Sequence, residues 1–144
     1  TVVEMPGDLA HMVAVVGRVR DAGLLAQVGV DAAETGTVVD ALAEIGVSQQ
    51  DKNLIGIKQG IALMGPIKTI ERKLLDGSFK HGDQPIMTWC VGNAIVTLTR
   101  TAMMITREDA GYRKIDPLMA AFNAAALMEH NPGMQRITQA FVTL

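Results

Sequence analysis

Two acids stand where the sequence could centre cation chemistry. Asp31 follows the apolar run Val28-Gly29-Val30, and Asp116 sits inside Arg113-Lys114-Ile115-Asp116-Pro117. Ligands of an open α/β sheet gather beyond the carboxyl ends of its strands, so an acid that ends a strand is well placed to hold a metal. The plainer reading of Asp31 is a turn acid bonded to its own backbone. Asp116 likewise has two readings, a cap that satisfies backbone N–H groups at a helix start or a carboxylate aimed outward at a cation. Between the two acids lies a basic stretch. Residues 52–81 carry Lys52, Lys58, Lys68, Arg72, Lys73 and Lys80 against Glu71 and Asp76, whereas residues 1–51 carry eight acids against Arg18 and Arg20. Such a distribution could hold phosphate near carboxylates, and it equally suits a solvated helix face. His81, in the polar turn Lys80-His81-Gly82-Asp83, is read first as a solvated loop histidine.

Other chemistries lack their signatures. The sequence has no G-x-S-x-G, no G-x-x-x-x-G-K-[ST], no G-x-G-x-x-G after a strand and no H-E-x-x-H. Its single cysteine, Cys90, cannot close an internal disulfide or build a zinc site alone, and it is expected to be a buried small hydrophobe. Trp89 and the nine methionines are expected to fill the core.

The elements that must position these residues follow from periodicity. At 144 residues, 49% hydrophobic and 19% charged, the chain suits one compact domain, 1–144, with a single core. No stretch reaches the roughly 18 to 20 apolar residues of a membrane span, and the start has no secretory pattern. A soluble, intracellular protein is therefore expected. Leu9, Met12, Val13, Val16 and Val19 predict a helix over 8–22, entered through Pro6-Gly7 with Asp8 as cap and ended at Gly23. Leu24 to Val30 predicts a buried strand, Val38 to Ile45 a helix stopped by Gly46, and Leu54 to Ile57 a second strand. Gly65-Pro66 opens a helix that presents Ile67, Ile70 and Leu74 and ends near Gly77. Ile86 to Val91 fits either a short helix or a buried strand. Ala94–Thr99 and Met103–Thr106 predict a hairpin, and the last helix should turn Leu118, Ala121, Phe122, Ala125 and Met128 inward behind Asp116 as its cap. Helix and strand in alternation give an α/β class with a parallel sheet. The tail after Asn131-Pro132-Gly133 carries only scattered apolar residues.

These pieces stand in an order that resembles the nuclease region of bacteriophage terminase large subunits. The likeness spans roughly residues 24–130. It rests on Val28-Gly29-Val30-Asp31, Ile55-Gly56-Ile57-Lys58-Gln59-Gly60, Leu75-Asp76-Gly77-Ser78-Phe79-Lys80-His81-Gly82-Asp83-Gln84-Pro85, then Trp89, Asn93 and Arg113-Lys114-Ile115-Asp116 before an alanine-rich helix. The resemblance implies a ribonuclease H-like mixed sheet flanked by helices. It also implies cleavage of concatemeric double-stranded DNA during genome packaging, with two Mg2+ or Mn2+ ions held by acids. Asp31 and Asp116 match two of those acids, and two ions about 4 Å apart would activate water and stabilise the leaving oxygen. Lys58, Lys68, Arg72, Lys80 and His81 become candidates for phosphate contacts, with Lys114 and Asn93 in support. The partners implied are DNA, an ATPase domain, the small terminase subunit and the portal, in the cytoplasm of an infected or lysogenic bacterium and without a membrane.

Two departures qualify the likeness. The chain starts at Thr1 and runs into Val2 and Val3 as though entering a strand under way, so it is expected to be an excised or processed fragment. The family's first metal-binding aspartate is expected before Thr1, Glu4 does not match its position, and the absence of a Walker motif leaves the ATPase motor outside the chain. Weak metal binding and poor or absent cleavage are therefore expected. The rival class is a non-catalytic α/β interaction module in which Asp31 is a turn residue and Asp116 a cap. A nucleotide-binding fold is disfavoured because neither early strand leads into a glycine-rich loop.

Overall fold

The glycines that the sequence offers as helix stops do stop helices. In the computed structural model, which describes residues 6–33, 36–107 and 113–132, α1 (Asp8–Asp21), α2 (Gly36–Glu44) and α3 (Met64–Leu75) each run into a left-handed glycine: Gly23, Gly46 and Gly77. At the first of these, Gly23 N–H bonds the Arg20 carbonyl and Leu24 N–H reaches back to Val19, which satisfies carbonyls that the helix end would leave open.

The remaining elements are β1 (Val28–Asp31), β2 (Leu54–Ile57), a 3-10 turn (Gly60–Leu63), α4 (Pro85–Gly92), β3 (Ala94–Leu98), β4 (Met103–Arg107) and α5 (Asp116–Glu129). The segment left open between helix and strand is thus the helix α4, opened by Pro85. The expected strand from Leu24 is shorter than its apolar run and begins only at Val28. Val2 and Val3, Glu4, most of the 107–114 loop and the tail from 133 lie outside the described residues.

The chain divides into two compact units. The first holds α1, α2 and the beginnings of β1 and β2, with Leu42, Val47 and Leu54 buried. Here α1 packs on α2 yet buries none of its residues fully. The Asn53 side chain fastens the α2–β2 connection, accepting the Ser48 N–H at 2.8 Å and donating to the Gly46 carbonyl at 3.1 Å.

The second unit contains the rest of both strands, the 3-10 turn, α3, α4, the β3–β4 hairpin and α5. Its core is built from Ile57, Leu63, Ile67, Ile70, Cys90, Ile115, Phe122 and Leu127, with α5 packed on both α3 and α4. The hairpin is antiparallel from Ala94 opposite Arg107 to Leu98 opposite Met103, and Thr99 N–H closes it on the Ala102 carbonyl at 2.8 Å.

β1 and β2 form one two-stranded sheet and β3 and β4 another. Val28 N–H bonds the Asn53 carbonyl and Ala32 N–H the Ile57 carbonyl, so pairing advances in the same sense along β1 and β2, as in a parallel pair. The class is α/β with mixed strands and flanking helices. Among the described residues there are two small sheets, not the single larger sheet expected from the resemblance.

Several packing expectations need correction. Asp8 and Asp116 are each the first helical residue, the cap positions belong to Gly7 and Ile115, and neither helix has a side-chain cap bond. Met128, expected inward, is 71% exposed, because the buried stripe of α5 runs through Phe122, Asn123 and Leu127 instead. Trp89 is 48% exposed, since α4 turns Cys90 to the core and leaves its neighbour outside. Leu74 is half exposed, whereas Ile67 and Ile70 are buried as expected.

Candidate functional site

Gly29 brings the last helix onto the first strand. A Cβ at position 29 would meet Leu127 Cδ1 and Ile57 Cγ1, each at 3.1 Å, so both side chains would have to give by a few tenths of an ångström to admit it. One helical turn earlier, Asn123 Oδ1 accepts a hydrogen bond from Gln59 Nε2 at 3.0 Å, and the same Gln59 nitrogen donates to the Ile57 carbonyl at 3.0 Å. Leu127 over Gly29 and Asn123 beside the end of β2 mean that α5 runs back along the strands, its start toward their carboxyl ends. Asp116 precedes Asn123 by seven residues, which carries it about 10 Å further along the helix axis.

Both acids therefore lie toward the carboxyl ends of β1 and β2. Asp31 ends β1 and is half-buried, and its Oδ1 accepts the Ala33 N–H at 2.9 Å, the local turn bond of the plainer reading. Asp116 is exposed on the first turn of α5. Its charge is felt by Cys90, which is fully buried; burial first and the Asp116 carboxylate second push the thiol above its ordinary value. The run into Asp116 is held by Asn93, whose buried amide donates from Nδ2 to the Lys114 carbonyl at 3.1 Å. The Lys114 side chain itself is exposed.

The basic candidates are spread over several elements. Lys58 follows β2, Lys68 and Arg72 lie one turn apart on the exposed face of α3, and Lys80 and His81 occupy the loop between α3 and α4, all of them exposed. Arg72 and Lys73 also face Asp76. The Asp76 carboxyl is held below the ordinary range mainly by its side-chain and backbone hydrogen bonds from Ser78, and only then by Lys73 and Arg72. His81 Nδ1 accepts the Asp83 N–H at 3.2 Å, and its ring lies against Phe79 with centroids 6.3 Å apart. That nitrogen is thereby used within the loop.

Divalent ions of the magnesium type need oxygen donors, usually carboxylates. Among the described residues no group of three or more His, Cys, Asp or Glu side chains could hold a metal, and no buried side-chain polar atom lacks a partner. Alone, the described residues do not fit a two-ion centre. Asp31 and Asp116 supply two acids toward one end of the strands, and no hydrogen bond or ion pair links them.

Sequence reasoning missed the Gln59–Asn123 bond. Its signal was available, because Asn123 shares a helical face with Leu127 four residues on, and an amide on an apolar face must find a partner.

No family model matches the chain. Over 64 residues, 44% of this chain and 11% of the other, it is 36% identical to the terminase large subunit of Enterobacteria phage HK97. Over 50 residues, 34% of this chain and 11% of the other, it is 38% identical to the protein YmfN of Escherichia coli K12. The matches thus span about a tenth of each relative's length. The crystal structure of the HK97 bacteriophage large terminase is similar in fold, with a TM-score of 0.65 and 21% identity over 83% of this chain and 24% of that one.

Proposed function

We propose that this chain is the nuclease-like region of a terminase large subunit of the phage type, a ribonuclease H-like unit that in the whole protein cuts double-stranded DNA during genome packaging. The observation that carries this reading is the likeness in fold to the HK97 large terminase over 83% of the chain. The partial sequence match to the same phage protein agrees with it. In this reading Asp31 and Asp116 are two carboxylates of a Mg2+ or Mn2+ site, and further carboxylates must come from outside the described residues. Lys58, Lys68, Arg72, Lys80 and His81 offer sequence-independent contacts to backbone phosphate. The packaging ATPase, the small subunit and the portal are the partners of the whole protein, in the cytoplasm of its host.

Manganese titration of the isolated chain tests the reading. Weak binding is expected, lost in Asp31→Asn and in Asp116→Asn, together with slow or absent nicking of plasmid DNA. Manganese affinity that both substitutions leave unchanged would remove these acids from the site.

A second reading is favoured by the lack of a third metal ligand among the described residues and by the turn bond of Asp31. In it the chain is a non-catalytic α/β module whose basic face meets a partner. Such a module would show no manganese binding at all, with DNA affinity unchanged by the metal.

A further inference from the structure

Asn93 and Asn123, each 8% exposed, are the polar side chains buried among the described residues, and both fasten the same helix. Asn93 holds the Lys114 carbonyl just before α5, and Asn123 joins the middle of α5 to Gln59 at the end of β2. α5 is anchored in the core by two large apolar side chains, Phe122 and Leu127. Its sequence, Asp-Pro-Leu-Met-Ala-Ala-Phe-Asn-Ala-Ala-Ala-Leu-Met-Glu, offers a run of small, similar residues, and hydrophobic attraction has no direction. A slip of one turn would bring Leu118 to the place of Phe122, one apolar side chain for another, and Asn123 to the place of Leu127. The same slip would strip Asn123 of Gln59 and Asn93 of the Lys114 carbonyl, leaving buried amides unpaired.

We propose that Gln59, Asn93 and Asn123 are positioning residues that lock the axial register of α5, and so fix where Asp116 stands relative to the carboxyl ends of β1 and β2. The lock stands by itself; its consequence for metal binding rests on the nuclease reading.

Nitroxide labels at Lys58 and Ala120, both exposed, report the register by pulsed electron resonance in a Cys90→Ala background. The parent is expected to show one narrow distance. Asn123→Leu and, as a milder change at a half-buried position, Gln59→Met should each add a second population displaced by about one helical turn, ~5.4 Å. The thermal midpoint of Asn123→Leu should stay level or rise, because Gln59 keeps its bond to the Ile57 carbonyl, whereas that of Gln59→Met should fall, because Asn123 is left buried without its donor. Asn123→Asp keeps an acceptor for Gln59 and should keep the single distance. One unchanged narrow distance in both apolar variants, or broadening in Asn123→Leu that only tracks a lower melting midpoint, overturns the lock. Manganese titration of the unlabelled proteins separates the two claims: weaker binding in Asn123→Leu ties the lock to Asp116, whereas no binding by the parent removes the nuclease reading and leaves the distances to judge the lock.

Discussion

A methyl group at position 29 would press on both Leu127 and Ile57, whose side chains would have to give by a few tenths of an ångström. Gly29→Ala should therefore destabilise the protein by about 1–3 kcal/mol in denaturant unfolding, the usual cost of overfilling a packed site. An unchanged midpoint would show that α5 yields freely. Asp31 separates structure from charge in the same way. Asp31→Asn keeps an oxygen acceptor for the Ala33 N–H and should leave stability within about 0.5 kcal/mol, whereas Asp31→Ala should lose about 0.5–1.5 kcal/mol for the missing bond. Equal stability of the two variants would mean that the turn bond contributes nothing. The Cys90 thiol holds its proton more tightly in the folded chain than in the unfolded one. Stability linked to it is present below the unfolded thiol's ordinary value and is lost as pH rises through that value toward the folded one. Unfolding midpoints followed into the alkaline range should fall more steeply for the parent than for Cys90→Ala; parallel curves would contradict the assignment.

At the scale of elements, α3 divides its duties between two faces. Ile67 and Ile70 face the core, while Lys68 and Arg72 present charge one turn apart to solvent. In the nuclease reading, reversing both charges to Glu should leave the melting midpoint nearly unchanged, weaken DNA binding at low salt and flatten its salt dependence by about two phosphate contacts. Retained affinity and an unchanged salt slope would move the DNA-contacting face elsewhere. The β3–β4 hairpin and the end of α3 also leave apolar surface uncovered, with Leu75 85% and Leu98 73% exposed. Leu75→Lys and Leu98→Lys should each shift stability by no more than about 0.5 kcal/mol, as surface changes do. A larger loss in thermal unfolding would reveal packing that the exposed side chains conceal.

At the scale of the whole molecule, two compact units share a chain whose strands β1 and β2 pass from one to the other. The acids and basic residues of the proposed site all belong to the second unit. Its helices converge on α5, so a change that displaces α5 should affect Asp116 and the core together. No helix among the described residues is long and apolar enough to cross a membrane.

The sequence by itself determined the order and type of most elements, while Ile86 to Val91 stayed open between helix and strand and the 3-10 turn went unread. Helical spacing marked α1, α2, α3 and α5, glycines at 23, 46 and 77 marked the stops, and alternation of helix with strand marked the α/β class. These are local signals, set by residues within a turn or two of each other. Only tertiary structure decided that Asn123 rather than Met128 faces inward, that Trp89 stays outside, and that Gln59 meets Asn123 across 64 residues of chain. Burial and pairing of that kind depend on which helix face meets which neighbour, a choice made by the summed packing of distant segments and written in no short stretch of residues.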